Sequence, residues 1–271
     1  MEFPNRLPVF FIFFLSFIFL SFGEGRARTV TFYFRNKCPF TIWPATAPNA
    51  GQPIIADGGF TLLSGQTQRV IAPASWTGRF WARTGCNFAP NQQGPACETG
   101  DCGGKLACKG LIGTPPATLV EVTLQEDKSK PNFYDISLVD GFNIPISVNS
   151  KQPISPKCAI GSCEKNLNEI CPDELKVLNG NGDVVACRSA CLAFGLDSFC
   201  CRNTYGTPET CKPSLYSRMF KEACPSYYSF AFDSPPPLAS CSAREFVVTF
   251  CPAGWGSGDA AAKGREEMSA E

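Results

Sequence analysis

Histidine is absent from the 271 residues of this chain. Its absence excludes Ser-His-Asp and Cys-His nucleophilic catalysis, and it excludes metal sites that are built on imidazole ligands. If the protein is an enzyme, carboxylates are the obvious side chains left to carry protons at mildly acidic or neutral pH. Any catalytic hypothesis for this sequence therefore rests on aspartate and glutamate.

An excess of charge is also missing, because 24 lysine and arginine residues balance 24 aspartate and glutamate residues. Proteins that bind nucleic acids usually carry a basic excess, so no nucleic-acid partner is expected. The sequence contains no Asn-X-Ser/Thr motif either, and no N-linked glycan is expected.

A hydrophobic run from Val9 to Phe22 follows a short segment that contains Arg6 and precedes a group of small residues. This order is typical of a secretory signal peptide, to which we assign residues 1–27, with cleavage between Gly23 and Ala27. The alternative is a transmembrane anchor, which would need about 20 apolar residues, more than this run supplies. The sequence therefore predicts a secreted, extracellular protein.

Sixteen cysteines lie between Cys38 and Cys251. An even number of cysteines in an exported chain predicts a disulfide framework, here of eight bridges. The alternative is metal binding, but the cysteines form no paired CxxC knuckles and no histidine can complete a site, so we expect neither a metal nor a cofactor. The spacing of the cysteines leaves their connectivity open.

The first half of the chain predicts many short β-strands. Apolar and polar residues alternate with a period of two, and clusters of Gly, Pro, Asn and Asp separate the runs. The predicted strands are 29–35, 40–43, 78–84, 118–125 and 133–139, and a last strand, 244–252, closes the fold. Short strands with frequent turns indicate a sandwich or a barrel.

The second half has a different character, since residues 158–241 hold ten of the cysteines. Helical patterns occur at 183–196 and at 213–223, the second with Ser214 as a plausible N-cap and with Leu215, Met219 and Phe220 on one apolar side. These features predict a loop-rich subdomain held by disulfides. The tail, 253–271, is polar and rich in small residues; it is predicted to be disordered and lacks the hydrophobic end of a lipid-anchor signal.

Acidic residues interrupt two of the alternating strands on their polar sides. In FYDISLVDGFN (133–143), Phe133, Asp135 and Ser137 share one face, and Asp140 follows at the turn; Glu121 occupies the polar side of the strand before it. Because acids on the outer side of a strand are ordinary, the residue pattern allows a solvated face as well as a site.

Several stretches together resemble the thaumatin-like proteins, the plant pathogenesis-related group that includes osmotin, in its large form with sixteen cysteines. They are CETGDCGGKLAC (97–108), FRNKCPFTIWPA (34–45), GRFWARTGCNF (78–88), FYDISLVDGFNIP (133–145), the pair Cys200–Cys201 and the closing VTFCP. The resemblance spans about residues 29–252. It implies an all-β-dominated fold for residues 28–252: a flattened β-sandwich with small disulfide loops at 86–108 and a disulfide-rich loop and helix subdomain at 158–241.

The resemblance also implies a disulfide pattern. The implied pairs are Cys38–Cys251, Cys86–Cys97, Cys102–Cys108, Cys158–Cys241, Cys163–Cys224, Cys171–Cys187, Cys191–Cys200 and Cys201–Cys211.

Members of the family have an acidic cleft that is lined by one arginine and four acids. The matching residues here are Arg79, Glu121, Asp135, Asp140 and Asp233. Three aromatic residues close to them in sequence are either sugar-stacking residues or core residues: Phe133, Phe142 and Tyr227.

The resemblance implies a secreted defence protein whose cleft binds β-1,3-glucan or another cell-wall polysaccharide, and which permeabilises fungal membranes as a monomer. A first alternative is a weak endo-β-1,3-glucanase, with Glu121 as the acid and Asp140 or Asp135 as its partner. A second alternative is an inhibitor of polysaccharide-degrading or digestive enzymes. A vacuolar location is the alternative to secretion if the tail acts as a sorting signal.

Overall fold

Two five-stranded sheets face each other in the computed structural model, which describes residues 28–89, 94–152 and 154–252. The first sheet has the order β3-β1-β12-β7-β8, in which β1 and β12 are parallel and the other neighbours antiparallel. Its strands are β1 (Thr29–Asn36), β3 (Thr67–Pro73), β7 (Ile146–Ser150), β8 (Ala159–Ile160) and β12 (Glu245–Phe250).

The second sheet is antiparallel throughout and has the order β11-β6-β5-β4-β2. Its strands are β2 (Trp43–Pro48), β4 (Thr77–Arg83), β5 (Leu119–Thr123), β6 (Asn132–Ser137) and β11 (Ala239–Cys241).

The core lies between the two sheets, as the alternation of apolar residues requires. The rings of Phe32 on β1 and Phe80 on β4 meet edge to face, with their centroids 4.9 Å apart. Tyr134 on β6 and Phe246 on β12 make a similar contact at 5.2 Å. One continuous cluster of buried side chains joins both sheets. The fold is therefore a β-sandwich, one of the two architectures that the strand pattern allowed.

The segment between β8 and β11 contains the short elements of the second half. They are the strands β9 (Lys176–Leu178) and β10 (Val184–Cys187), which pair with each other, and the helices α1 (Ala190–Phe194), α2 (Asp197–Cys200) and α3 (Leu215–Ala223). Single turns of 3-10 helix occur at Ala56–Gly58, Pro156–Cys158, Asp173–Leu175 and Asn203–Tyr205.

The helix predicted at 213–223 is confirmed, and its start has a clear cause. The Ser214 hydroxyl accepts a hydrogen bond from the Ser217 amide and so caps the N-terminus. Phe220 is buried and Met219 packs against the core. The expectation that Leu215 shares this apolar side is wrong, since Leu215 is 73% exposed.

One other local prediction is wrong, and another holds only in part. The segment 40–43 does not form a strand of its own: Ile42 makes only an isolated bridge to Leu62, and β2 begins at Trp43. The helical pattern at 183–196 is confirmed over α1, but its first residues form a strand, because β10 pairs with β9 and Cys187 exchanges two backbone hydrogen bonds with Phe142. Tertiary pairing thus outweighs the local helical period in this segment.

Eight disulfides connect the described part of the chain, and they are the eight pairs implied by the resemblance. No cysteine in that part is free. The proposed signal peptide, 1–27, and the tail, 253–271, lie outside the described residues. Within the described ranges, none of the helices has both the length and the apolar character that crossing a bilayer demands.

Candidate functional site

The outer face of the second sheet is divided into a covered end and an open end. At the covered end, Trp81 and Leu119 are buried together with alanines of β2 under the loop that carries the Cys102–Cys108 bridge. The indole nitrogen of Trp81 donates to the carbonyl of Gly100 in that loop, at 2.8 Å. The small disulfide loop therefore seals this half of the face from solvent.

Arg83 is fully buried at the covered end. Its guanidinium donates to the backbone carbonyls of Trp43, Lys105 and Leu106 at 2.8–3.0 Å. Burial lowers the pKa of Arg83 to about 10, and the charge of Asp101 opposes that shift. Arg83 thus remains charged at neutral pH and fixes the loop to the sheet.

The open end carries three of the residues that the sequence proposes for the site. In the strand register, Arg79 on β4 lies directly opposite Glu121 on β5, and Glu121 lies directly opposite Asp135 on β6. The guanidinium of Arg79 lies 3.7 Å from a carboxylate oxygen of Glu121. Directly opposed residues have Cβ atoms about 5 Å apart, so the three side chains form one row across the strands. Glu121 and Asp135 line a cavity of about 160 Å³ on this surface.

Asp135 has an unusual environment for a carboxylate. Its Oδ1 atom is buried and has no hydrogen-bond partner among the described residues. Burial, and after it the negative charge of Glu121, raises the pKa of Asp135 to about 7. At mildly acidic pH the row therefore holds a protonated acid beside a second carboxyl group.

Tyr228 is a residue of this surface that the sequence reasoning did not find. Its backbone adds to the edge of β6, since its amide donates to Ile136 and its carbonyl accepts from Leu138. Burial, and then the charges of three acids, raises the pKa of its phenol: Asp135, Asp233 and Glu121. The phenol therefore lies within electrostatic range of all three carboxyl groups. The sequence singled out Tyr227 instead, and only the packing shows which of the two tyrosines faces outward.

Asp233 already has partners for its carboxylate. Its Oδ2 atom accepts from the amide and the hydroxyl of Ser229, at 2.9 and 3.0 Å, and lies 2.9 Å from the ammonium of Lys221. The side chain of Asp233 is only 6% exposed. This arrangement holds the loop after α3 in place and leaves Asp233 little freedom to contact a ligand directly.

Asp140 lies apart from the row along the direction of the strands. It occupies the turn after β6, where its carbonyl accepts a hydrogen bond from the amide of Ala117. Ala117 precedes Glu121 by four residues, which corresponds to about 13 Å of extended chain. The structure therefore brings Asp135 closer to Glu121 than it brings Asp140, and the proposed Glu121–Asp140 pair stays a prediction.

The three aromatic candidates separate clearly. Phe142 and Tyr227 are fully buried, and the phenol of Tyr227 bonds to the backbone of Ile146, so both belong to the core. Phe133 lines the cavity beside Glu121 and Asp135. Of the three, Phe133 alone is placed to contact a sugar ring at this surface.

The chain is similar to known proteins in sequence and in fold. A model described as the thaumatin family matches residues 36–252. Pathogenesis-related protein 5 of Arabidopsis thaliana is 47% identical over 238 residues, which cover 88% of this chain and 96% of that protein. The osmotin-like protein of Solanum lycopersicum is 47% identical over 242 residues, which cover 88% of this chain and 94% of that protein.

The solved structure of a laminaripentaose-producing β-1,3-glucanase in complex with laminaritetraose superposes with a TM-score of 0.55. The likeness covers 82% of this chain and 98% of that one, at 11% identity, so it concerns the fold alone. Since the family model matches most of the sequence and close relatives align over nearly their whole lengths, the chain belongs to the thaumatin family.

Proposed function

We propose that the open end of the second sheet binds hydroxyl-rich cell-wall polysaccharide, with β-1,3-glucan as the principal ligand. The observation that carries this proposal is the row Arg79–Glu121–Asp135, which sets a guanidinium and two carboxyl groups side by side on a partly exposed sheet face. Such groups donate to and accept from sugar hydroxyls in fixed directions. Phe133 on the cavity wall offers an apolar ring surface beside them.

The biological role that suits this binding is defence against fungi, with permeabilisation of the fungal membrane, by a secreted monomer. Its relatives are named pathogenesis-related and osmotin-like proteins, which supports a role of this class. Eight disulfides suit an oxidising compartment such as the extracellular space.

A weak endo-β-1,3-glucanase is the second candidate, and one observation favours it. Glycoside hydrolysis needs a protonated acid and a second carboxylate, which lie about 5–5.5 Å apart in retaining enzymes. The cross-strand pair Glu121 and Asp135 suits a short separation of this kind. The raised pKa of Asp135 supports Asp135 as the acid, whereas the sequence reasoning assigned that role to Glu121.

One experiment tests both candidates. The oxidised protein is incubated with soluble laminarin to measure hydrolysis and with insoluble β-1,3-glucan to measure retention. The variants are Glu121→Gln and Asp135→Asn, which keep the shape of the side chains, and the control is Glu126→Gln, an exposed glutamate in the loop after β5.

If the binding proposal is right, the unmodified protein binds glucan without hydrolysing it. Both row variants then bind about tenfold more weakly, and the control binds as well as the unmodified protein. Hydrolysis that disappears in Asp135→Asn while retention persists would establish the glucanase. Equal retention by all four proteins would overturn the assignment of the binding surface.

A further inference from the structure

A second and larger concavity lies away from the acidic row. It encloses about 870 Å³ between the end of the sandwich and the β9–β10 ribbon. This volume is within the range of ligand sites, about 300–1,000 Å³. The two cavities have no lining residue in common. We propose that this groove is a second glycan site, which takes a segment of a neutral oligosaccharide chain.

Two aromatic rings supply an apolar wall of the groove. Phe40 is 41% exposed, and Trp43 is partly exposed at the start of β2. Two contacts hold these residues: the side-chain amide of Asn36 donates to the carbonyl of Phe40 at 2.9 Å, and the carbonyl of Trp43 accepts from Arg83 at 3.0 Å. These contacts fix the backbone that carries the two rings, and aromatic faces that remain open to solvent are suited to stacking against the apolar face of a sugar ring.

Amide and carboxylate groups supply the polar lining. Asn166 donates to the carboxylate of Glu169 at 2.8 Å, and Asn168 donates to the backbone carbonyl of Asn143 at 3.0 Å. With the carboxylate of Glu98, these side chains offer donors and acceptors to the hydroxyl groups of a sugar chain in the groove.

The charges in the lining select against anions. Glu98, Glu169 and Asp183 contribute three carboxylates, and the lining contains one lysine, Lys176. The ammonium of Lys176 is held 2.6 Å from the carboxylate of Asp173. A phosphate or a uronic-acid polymer would therefore meet net repulsion. A neutral chain of hydroxyl groups can bond to carboxylates and amides without that penalty.

Disulfides hold the walls of the groove in position. The bridge Cys38–Cys251 is two residues from Phe40 in sequence, and the bridge Cys86–Cys97 includes Cys86 of the lining. The bridge Cys171–Cys187 joins the chain just after Glu169 to the chain just after Val185, two residues that both line the groove. A site whose walls are already fixed loses little conformational entropy when it binds a ligand. This rigidity suits a groove that receives an extended chain.

The test is a titration of the full, oxidised chain with laminarihexaose, cellohexaose and xylohexaose. Calorimetry and NMR monitor the binding during the titration. Phe40→Ala should weaken the binding of at least one hexaose about tenfold, and Glu98→Gln should weaken the same hexaose while it preserves the shape of the wall. The control is Tyr205→Ala, which removes a ring of nearly equal exposure, 40%, that lines neither cavity.

The indole signal of Trp43, assigned with a Trp43→Phe variant, should shift on titration of the unmodified chain, so the result does not depend on how a variant folds. Glu121→Gln separates the two sites: it can change calorimetric binding only at the acidic row, and it should leave the hexaose-induced shift of the Trp43 signal unchanged, because Glu121 does not line the groove. The proposal is overturned if no hexaose binds or if the Trp43 signal stays fixed. It is also overturned if Phe40→Ala behaves like Tyr205→Ala, or if only a cationic glucosamine hexamer binds.

Discussion

Glu121 and Asp135 lie directly opposite each other on adjacent antiparallel strands, and they differ in their surroundings. Glu121 is 42% exposed and pairs with Arg79, whereas the Oδ1 atom of Asp135 is buried without a hydrogen-bond partner among the described residues. Two acids of the same row are thus given different environments by the segments that pack around them.

The pKa of Asp135 should make stability depend on pH. Its folded value is about 7, while an unfolded aspartate titrates near pH 4. Between these values the unfolded chain has released the proton that the folded protein keeps, so the free energy of unfolding falls as pH rises from about 4 to about 7, and it levels off above that. The shift corresponds to about 4 kcal/mol in full, and we expect roughly 2 kcal/mol because solvent partly reaches the site.

The measurement is urea unfolding of the oxidised protein and of Asp135→Asn at pH 4 and pH 8. The variant should be more stable than the unmodified chain at pH 8, and this advantage should vanish at pH 4. An equal difference at both pH values would contradict a raised pKa. Glu126→Gln serves as the exposed control.

Arg83→Met should destabilise the protein by about 3–5 kcal/mol. The substitution leaves three partly buried backbone carbonyls without their donor, and it detaches the small disulfide loop from β4. The comparison is Arg35→Met on the exposed side of β1, which should cost less than about 0.5 kcal/mol. Similar unfolding midpoints for the two variants would show that Arg83 does not anchor the loop.

The ion pair between Lys221 and Asp233 should contribute more to the free energy of unfolding than an exposed ion pair does. Lys221→Met leaves a buried carboxylate without its cation, and a loss of about 3 kcal/mol is expected. Lys109→Met breaks a pair whose side chains are 64% and 80% exposed, and it should cost less than about 1 kcal/mol. Unfolding midpoints at neutral pH decide between them, and a smaller loss for Lys221→Met than for Lys109→Met would refute the structural role of Asp233.

Removing a disulfide should cost more when the bridge closes a longer loop. Cys38 and Cys251 are 213 residues apart in sequence, and Cys102 and Cys108 are 6 apart. Loop-closure entropy gives about 5 kcal/mol for the first bridge and about 2 kcal/mol for the second, as upper values, because the other bridges already restrict the unfolded chain. Paired alanine variants compared by thermal unfolding test this order, and a reversed order would contradict the entropic account.

The sequence by itself determined the local features of this protein. Alternation with a period of two predicted β1, β4, β5, β6 and β12, and it placed Asp135 on the face opposite Tyr134 and Ile136, because side chains of a strand must alternate. The absence of histidine confined the candidate chemistry to carboxylates. The helix cap at Ser214 was readable because it depends only on neighbouring residues.

Only the tertiary structure decided which of these residues meet and what their surroundings do to them. The cross-strand row depends on strand register, which is set by pairing between distant segments. The raised pKa of Asp135 depends on burial, and the partners of Asp233 come from α3 and the loop after it. These are non-local effects of packing and dielectric environment, and no local pattern in the sequence encodes them. For the same reason the outward position of Tyr228 and the groove beside Trp43 could be found only in the folded chain.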